Sequence, residues 1–216
     1  VGALMLSALR HEALAVTTSS ASRPTSSTLP VEPAPSGAIE GPGKPIAHLY
    51  IPRLSDRVWN LPIFDGTSAS QLAAGVGHFE KSSSAGNEGN FALFGHRTTH
   101  QRPFFNIETL RAGDRVIVQT EKRWYVYELR ISQIVSPSAV WVASNTRFWA
   151  LRIPKRESYR VITLVTCEPR FTSKKRWVWW GVLLSTTPIA DPPSDLGTPL
   201  SPRRHARKID LVPPRL

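Results

Sequence analysis

The stretch VITLVTCEPRFTSKKRWVWWGVLL constrains this chain more than any other. Val161–Val165 and Trp177–Leu184 within it are apolar at successive positions, so both faces of each segment need cover, as in strands buried at the centre of a sheet. The eight residues between, Glu168–Lys175, are short enough to close an antiparallel hairpin. In such a hairpin Cys167 and Arg176 sit at the mouth and face each other across the ladder at about 4.5–5.5 Å.

The same β character runs through the middle of the chain. Ala47–Ile51, Asn90–Phe94, Arg115–Thr120, Trp124–Val135 and Tyr159–Thr166 are β-branched or aromatic runs separated by Gly, Pro, Asn and Ser clusters, and Trp177–Leu184 completes the set. In the Trp124 run, Tyr125, Tyr127, Leu129 and Ile131 alternate with Val126, Glu128, Arg130 and Ser132, which predicts one buried face and one bordering solvent. Long amphipathic helices are missing. Ser68–Gly75 reads as a two-turn helix with Ser68 as N-cap and Gly75 as stop, and Pro103–Leu110 as another short turn. A mainly β, closed or nearly closed barrel with small helices accommodates this order.

The two ends have a different composition. From Thr17 to Pro45 the chain is Ser, Thr, Pro and Gly with few apolar residues, too few to order itself, and reads as a semi-extended linker. After Thr187 it turns Pro-rich and ends with a basic run that includes Arg203, Arg204, His205, Arg207 and Lys208. The expected organisation is therefore a start and linker over 1–44, a folded domain over 45–187 and a disordered basic tail over 188–216; the family resemblance given below implies that the first is membrane-proximal and the second catalytic. Val1–Leu9 is apolar but ends at Arg10, well short of the ~20 residues that span a bilayer. It reads as an amphipathic start or as the outer end of an anchor or signal segment.

Lys+Arg outnumber Asp+Glu by 27 to 16, a formal charge of +11 that favours anionic surroundings. No zinc finger, RNP motif or Gly-rich phosphate loop accompanies it, so nucleic acid is not an expected partner. A single cysteine, Cys167, rules out an intramolecular disulfide and any multi-thiolate metal site. His48, His78, His100 and His205 lack ligand-like spacing, so no metal and no cofactor is expected.

A lone cysteine in an apolar strand is by default a small buried hydrophobe. Two neighbours argue otherwise here. Arg176 brings a permanent positive charge that favours thiolate over thiol. His96, in NFALFGHRTTH, closes another strand, with Gly95 expected to let the backbone turn. An imidazole so placed accepts a thiol proton and returns one to a departing amine, while a guanidinium stabilises an oxyanion. Arg170 competes with Arg176 for the last role. Thr98 and Thr166 flank the reactive positions as candidate contacts to a substrate backbone.

GHRTTHQRPF followed by TLVTCEPRFTSKKR resembles the paired signatures of sortases, particularly the class E type of actinobacteria. The resemblance extends upstream through IAHLYIPRL, VWNLPIFDGTSASQLAAGVGHF and GNEGNFALFGHR, downstream through PFFNIETLRAGDRVIV and WYVYEL, and covers roughly Gly43–Leu184. It implies an eight-stranded sortase barrel on the outer side of the cell membrane, facing the wall. It implies a cysteine transpeptidase, of the hydrolase class, with catalytic residues His96, Cys167 and Arg176. Its reaction would cut a C-terminal sorting signal near LPxTG or LAxTG between Thr and Gly, form a thioester on Cys167, and pass the surface protein to a peptidoglycan precursor or another amine. Reactive thiolate and imidazolium would be a minor population at neutral pH.

The chain departs from the class E pattern at several places. His100 stands where an aromatic is usual after the two threonines, and Glu168 stands where a His usually follows the cysteine. Glu168 is expected to oppose the effect of Arg176 on the thiolate. The segment Val140–Tyr159, carrying Trp141, Phe148 and Trp149 among basic residues, is expected to wall the signal-binding groove.

Overall fold

The computed structural model describes residues 41–144 and 159–197. The readings made for 1–40, most of the Val140–Tyr159 segment including Trp149, and the basic run beyond 197 lie outside the described residues.

Eight strands close into a barrel: β1 (Ala47–Tyr50), β2 (Leu61–Asp65), β3 (Val76–His78), β4 (Gly89–Phe94), β5 (Arg115–Gln119), β6 (Arg123–Val135), β7 (Arg160–Glu168) and β8 (Lys175–Pro188). Their order around the barrel is β1-β2-β3-β4-β7-β8-β6-β5. Two neighbour pairs, β2 with β3 and β4 with β7, are parallel, and the others are antiparallel. β2 and β3 are absent from the strand set read directly from the sequence. β3 is three residues long and β2 carries a proline, Pro62, so neither offers enough alternation to detect.

One helix, α1 (Ala69–Ala74), joins them. It starts at Ser68, whose backbone N–H is capped by the Gln71 side chain at 2.8 Å, and ends at Gly75. Gly75 has no room for a side chain, since a Cβ there would lie 2.3 Å from the Pro62 carbonyl oxygen.

The interior is filled by Leu49, Ile51, Ile63, Val76, Phe91, Leu93, Phe104, Val116, Val118, Tyr127, Leu129, Ile162, Leu164 and Trp179. A second cluster lies on the outer face of β4, β7 and β8. There Val161, Val165, Val178 and Trp180 pack with Phe94, Val142 and Trp141. Trp141 stacks on Trp180 at 5.9 Å with 13° between planes. Asn90, 1% exposed, secures this cover: its amide donates to Val142 O (3.0 Å) and Ser144 O (3.3 Å), and its carbonyl accepts from Thr163 Oγ1 (2.6 Å). Strands β7 and β8 are thus sealed on both sides, as their continuous apolar runs require.

Two expectations change. β6 is buried on both faces near its start, because Trp124 and Val126 form a third cluster with Tyr50 and Ile117, covered by Trp59 and Leu196. Bulges at Val126/Tyr127 and Leu129/Ile131 then break its alternation. The chain after Thr187 is also ordered as far as Gly197. Ile189 bonds Lys122 O through its N–H (3.0 Å) and accepts the Trp124 indole N–H (3.1 Å), and Asp195 pairs with Arg115 at 3.3 Å. Leu196 supplies the apolar side chain that makes this stretch stay.

Candidate active site

β7 and β8 pair residue for residue, and the register runs from Val161 opposite Val182 to Cys167 opposite Arg176 and Glu168 opposite Lys175. The hairpin thus has the mouth expected of it. Arg176 is half-buried, and its Nη1 donates to Ser173 O (2.9 Å) and Lys175 O (3.0 Å), the backbone of its own loop. Three of its five N–H donors, on Nε and Nη2, are left to point elsewhere.

β4 approaches β7 from the other side in a parallel register that ends with Phe94 beside Val165. Gly95 N–H continues the ladder to Val165 O at 3.1 Å. His96 lies two residues beyond the last pair of this register on the β4 side, and Cys167 two residues beyond it on β7. The next residues along the two segments, Arg97 and Glu168, form an ion pair through their side chains. Cys167 and His96 are both half-buried, at the edge of the covered outer face.

Gly95 is needed for space. Its φ is outside the left-handed region, but a Cβ there would meet the Phe104 ring at 2.7 and 2.8 Å and Pro103 at 3.1 Å. Phe104 is fully buried and its N–H bonds His96 O at 3.2 Å, so ring and imidazole backbone are fixed together.

The other expected residues fall differently. Thr166 is 2% exposed and gives its hydroxyl to Gly95 O at 2.7 Å. Strand alternation turns it away from Cys167, and its hydroxyl ties β7 to the end of β4. Thr98 is half-buried just beyond His96. Arg170 is held by Glu108 and Asn106 and lies over the Phe105 ring at 4.2 Å, away from the cysteine's cross-strand position. Trp179 and Trp177 serve the core, and Trp141 covers Trp180.

The His100 ring lies against that of His96, centroids 4.8 Å apart and planes inclined by 40°. Burial lowers the pKa of His96, and the positive charge of His100 lowers it further. Beneath the site lies a residue the sequence reading passed over. Arg97 is 4% exposed, and its guanidinium donates to Cys167 O (3.3 Å), to Glu168 and to Glu108 (3.0 Å), with the Trp177 ring 5.2 Å below. Glu168, expected to act on the thiolate as a free negative charge, is thereby paired. The signal was present in strand alternation: the residues after His96 and Cys167 must face inward together. Among the described residues no three His, Cys, Asp or Glu side chains converge as a metal ion requires.

A thiol and a guanidinium on adjacent strands, with an imidazole just past the end of a third, have the composition of an acyl-transfer site, and the comparisons with known proteins agree with it. Residues 49–184 match the sortase domain. This chain belongs to the sortase family. Members of that family are cell-wall sorting transpeptidases with a cysteine nucleophile. The chain is 36% identical over 164 residues to Sortase SrtE1 of Streptomyces coelicolor, covering 70% of this chain and 44% of that protein. To Sortase SrtE2 of the same organism it is 29% identical, over 70% of this chain and 62% of the other. It thus spans about half the length of the curated relatives it matches. The structure of sortase E from Streptomyces avermitilis matches with a TM-score of 0.62 at 35% identity, over 71% of this chain and 97% of that one. Sortase E1 from Streptomyces coelicolor, solved with a tripeptide in its active site, matches with a TM-score of 0.63 at 32% identity, over 73% and 99%. The family likeness is to class E.

Proposed function

We propose that this sortase cleaves an LPxTG- or LAxTG-like C-terminal sorting signal between Thr and Gly and transfers the acyl part to an amine. The Cys167 thiolate attacks the Thr carbonyl carbon, and the resulting oxyanion is met by Arg176. His96, as imidazolium, gives its proton to the departing Gly nitrogen, and the C–N bond breaks to leave a thioester. An incoming amine attacks that thioester, His96 takes its proton, and the thiolate leaves as the new amide forms. Water in place of the amine gives hydrolysis.

The β7–β8 register supports this reading, with Arg176 opposite Cys167, and His96 follows two residues after the last β4–β7 pair. The free donors of Arg176 suit an oxyanion that exists only during reaction. Because burial and His100 hold the pKa of His96 below the ordinary ~6.5, its imidazolium is a minority at neutral pH, in keeping with a slow enzyme. Thr98 is the candidate contact to the signal backbone. The acceptor is a peptidoglycan precursor or another wall amine, and the place of action is the outer face of the cell membrane, held there by an N-terminal segment; the charge of +11 suits an anionic wall.

The test uses fluorogenic LPxTG and LAxTG peptides with glycine or diaminopimelate as acceptor. Parent protein cuts between Thr and Gly, and Cys167→Ala abolishes the cut. His96→Ala loses at least ~10²-fold in turnover while melting like the parent. Cleavage that survives in Cys167→Ala would sink the assignment.

A further inference from the structure

We propose that Arg97 is a positioning residue, and that its ion pair with Glu168 is a clamp that fixes the separation of His96 and Cys167. The proposal rests on the sortase reading above and adds to it a device that this chain's own Glu168 completes.

β4 stops at Phe94, whereas β7 runs on to Glu168. The last main-chain bond across the pair is Gly95 N–H to Val165 O, helped by the Thr166 hydroxyl on Gly95 O. His96 therefore stands just past the end of the ladder. No further rung of sheet holds it against Cys167.

Arg97 spans the gap from below. One terminal nitrogen, Nη1, reaches both the Cys167 carbonyl and the Glu168 carboxylate, and the other, Nη2, reaches Glu108 at 3.0 Å. Each candidate catalytic residue thus has its C-terminal neighbour tied to the other's. Glu108 in turn pairs with Arg170, so two cations and two anions alternate along a chain of three ion pairs from Glu168 to Arg170. An arginine so deeply buried is tolerable only with such partners. Its planar fork, resting on the Trp177 ring, makes contacts in fixed directions that a lysine cannot reproduce. A network of this kind sets a geometry; a solvated surface pair would not.

The decisive measurement is the rate of Cys167 alkylation by iodoacetamide against pH, with peptide cleavage and thermal melting alongside. In the parent, the profile contains a step contributed by His96, which His96→Ala removes. Arg97→Lys and Glu168→Ala are expected to melt cooperatively yet lose that step, and to lose ~10–100-fold in kcat with KM little changed, as a misplacement of about 1 Å produces. Restoring the step in Glu168→Asp, which keeps the charge, is the expected rescue. An unaltered step and kcat in both variants overturn the clamp, as does a parent profile with no His96 step. If Arg97→Lys melts without cooperativity, Glu168→Ala decides alone. Failure of the parent to cut any sorting peptide bears on the substrate reading only, since alkylation needs no peptide.

Discussion

Replacing Gly95 by alanine tests how tightly the imidazole is held. The new methyl would sit 2.7 and 2.8 Å from two carbons of Phe104 and 3.1 Å from Pro103. Carbons in ordinary contact are ~3.5–4.0 Å apart, so the ring must retreat by about 0.8 Å or the backbone must move. The ring has nowhere to go: Phe104 has no exposed surface and lies in the barrel core with Leu93 and Ile107. Its backbone is held too, by its own N–H on His96 O and by Ile107 N–H on its carbonyl, each at 3.2 Å. Overpacking of this kind costs ~1–3 kcal/mol. At ~2–4 °C per kcal/mol for a domain of this size, Tm falls by roughly 2–12 °C. Because the yielding element is the His96 backbone, turnover falls by more than stability implies, up to ~10²-fold. Scanning calorimetry and peptide cleavage measure both. Trimming the ring as Phe104→Leu in the Gly95→Ala background relieves the clash, so the double variant recovers part of the Tm loss and the two changes are non-additive. A Gly95→Ala protein that melts within about 1 °C of the parent with full turnover would refute the argument.

Substituting His100 by Phe removes the positive neighbour and keeps a ring, so the His96 pKa rises toward its ordinary value; NMR titration of the His96 ring reads the direction, and a fall or no change contradicts the pairing. The same depressed pKa means that the unfolded chain binds more protons here than the folded one, so His96 makes stability decline as pH drops through ~6.5 toward its folded pKa; that component disappears from the stability–pH curve of His96→Ala. Asn90→Leu strips the partner from the buried Thr163 hydroxyl, at ~1–3 kcal/mol for the orphaned group, while the Val142 carbonyl keeps the Trp180 indole N–H; urea denaturation should register the loss, and one well under 1 kcal/mol means the cover over β7 and β8 does not depend on that amide.

Which parts could be read without coordinates follows from how local their cause is. The β7–β8 hairpin was legible because continuous apolar runs and one short loop fix register by themselves, and Cys167 opposite Arg176 came with it. His96 near a strand end was equally visible, but the approach of that end to β7 depends on a parallel pairing between distant segments, which no local pattern encodes. Gly95 was read as a conformational need, whereas the constraint is a ring supplied nine residues later. Glu168 was read as a bare charge because its partner, Arg97, is 71 residues away in sequence. The order after Thr187 stayed hidden because one leucine among prolines carries it.

The parallel contact between β4 and β7 also bears on how the molecule comes into being. It joins residues such as Phe94 and Val165 across a long excursion that includes β5 and β6, so neither hairpin formation nor local collapse can bring thiol and imidazole together. Closing a loop of 71 residues costs roughly 4 kcal/mol of chain entropy, recovered only when the sheet rungs and the core between them form. High contact order of this sort makes for slow folding. A nascent or half-collapsed chain therefore carries a chemically ordinary cysteine, and the onset of acylation in a refolding experiment times the closure of the barrel itself.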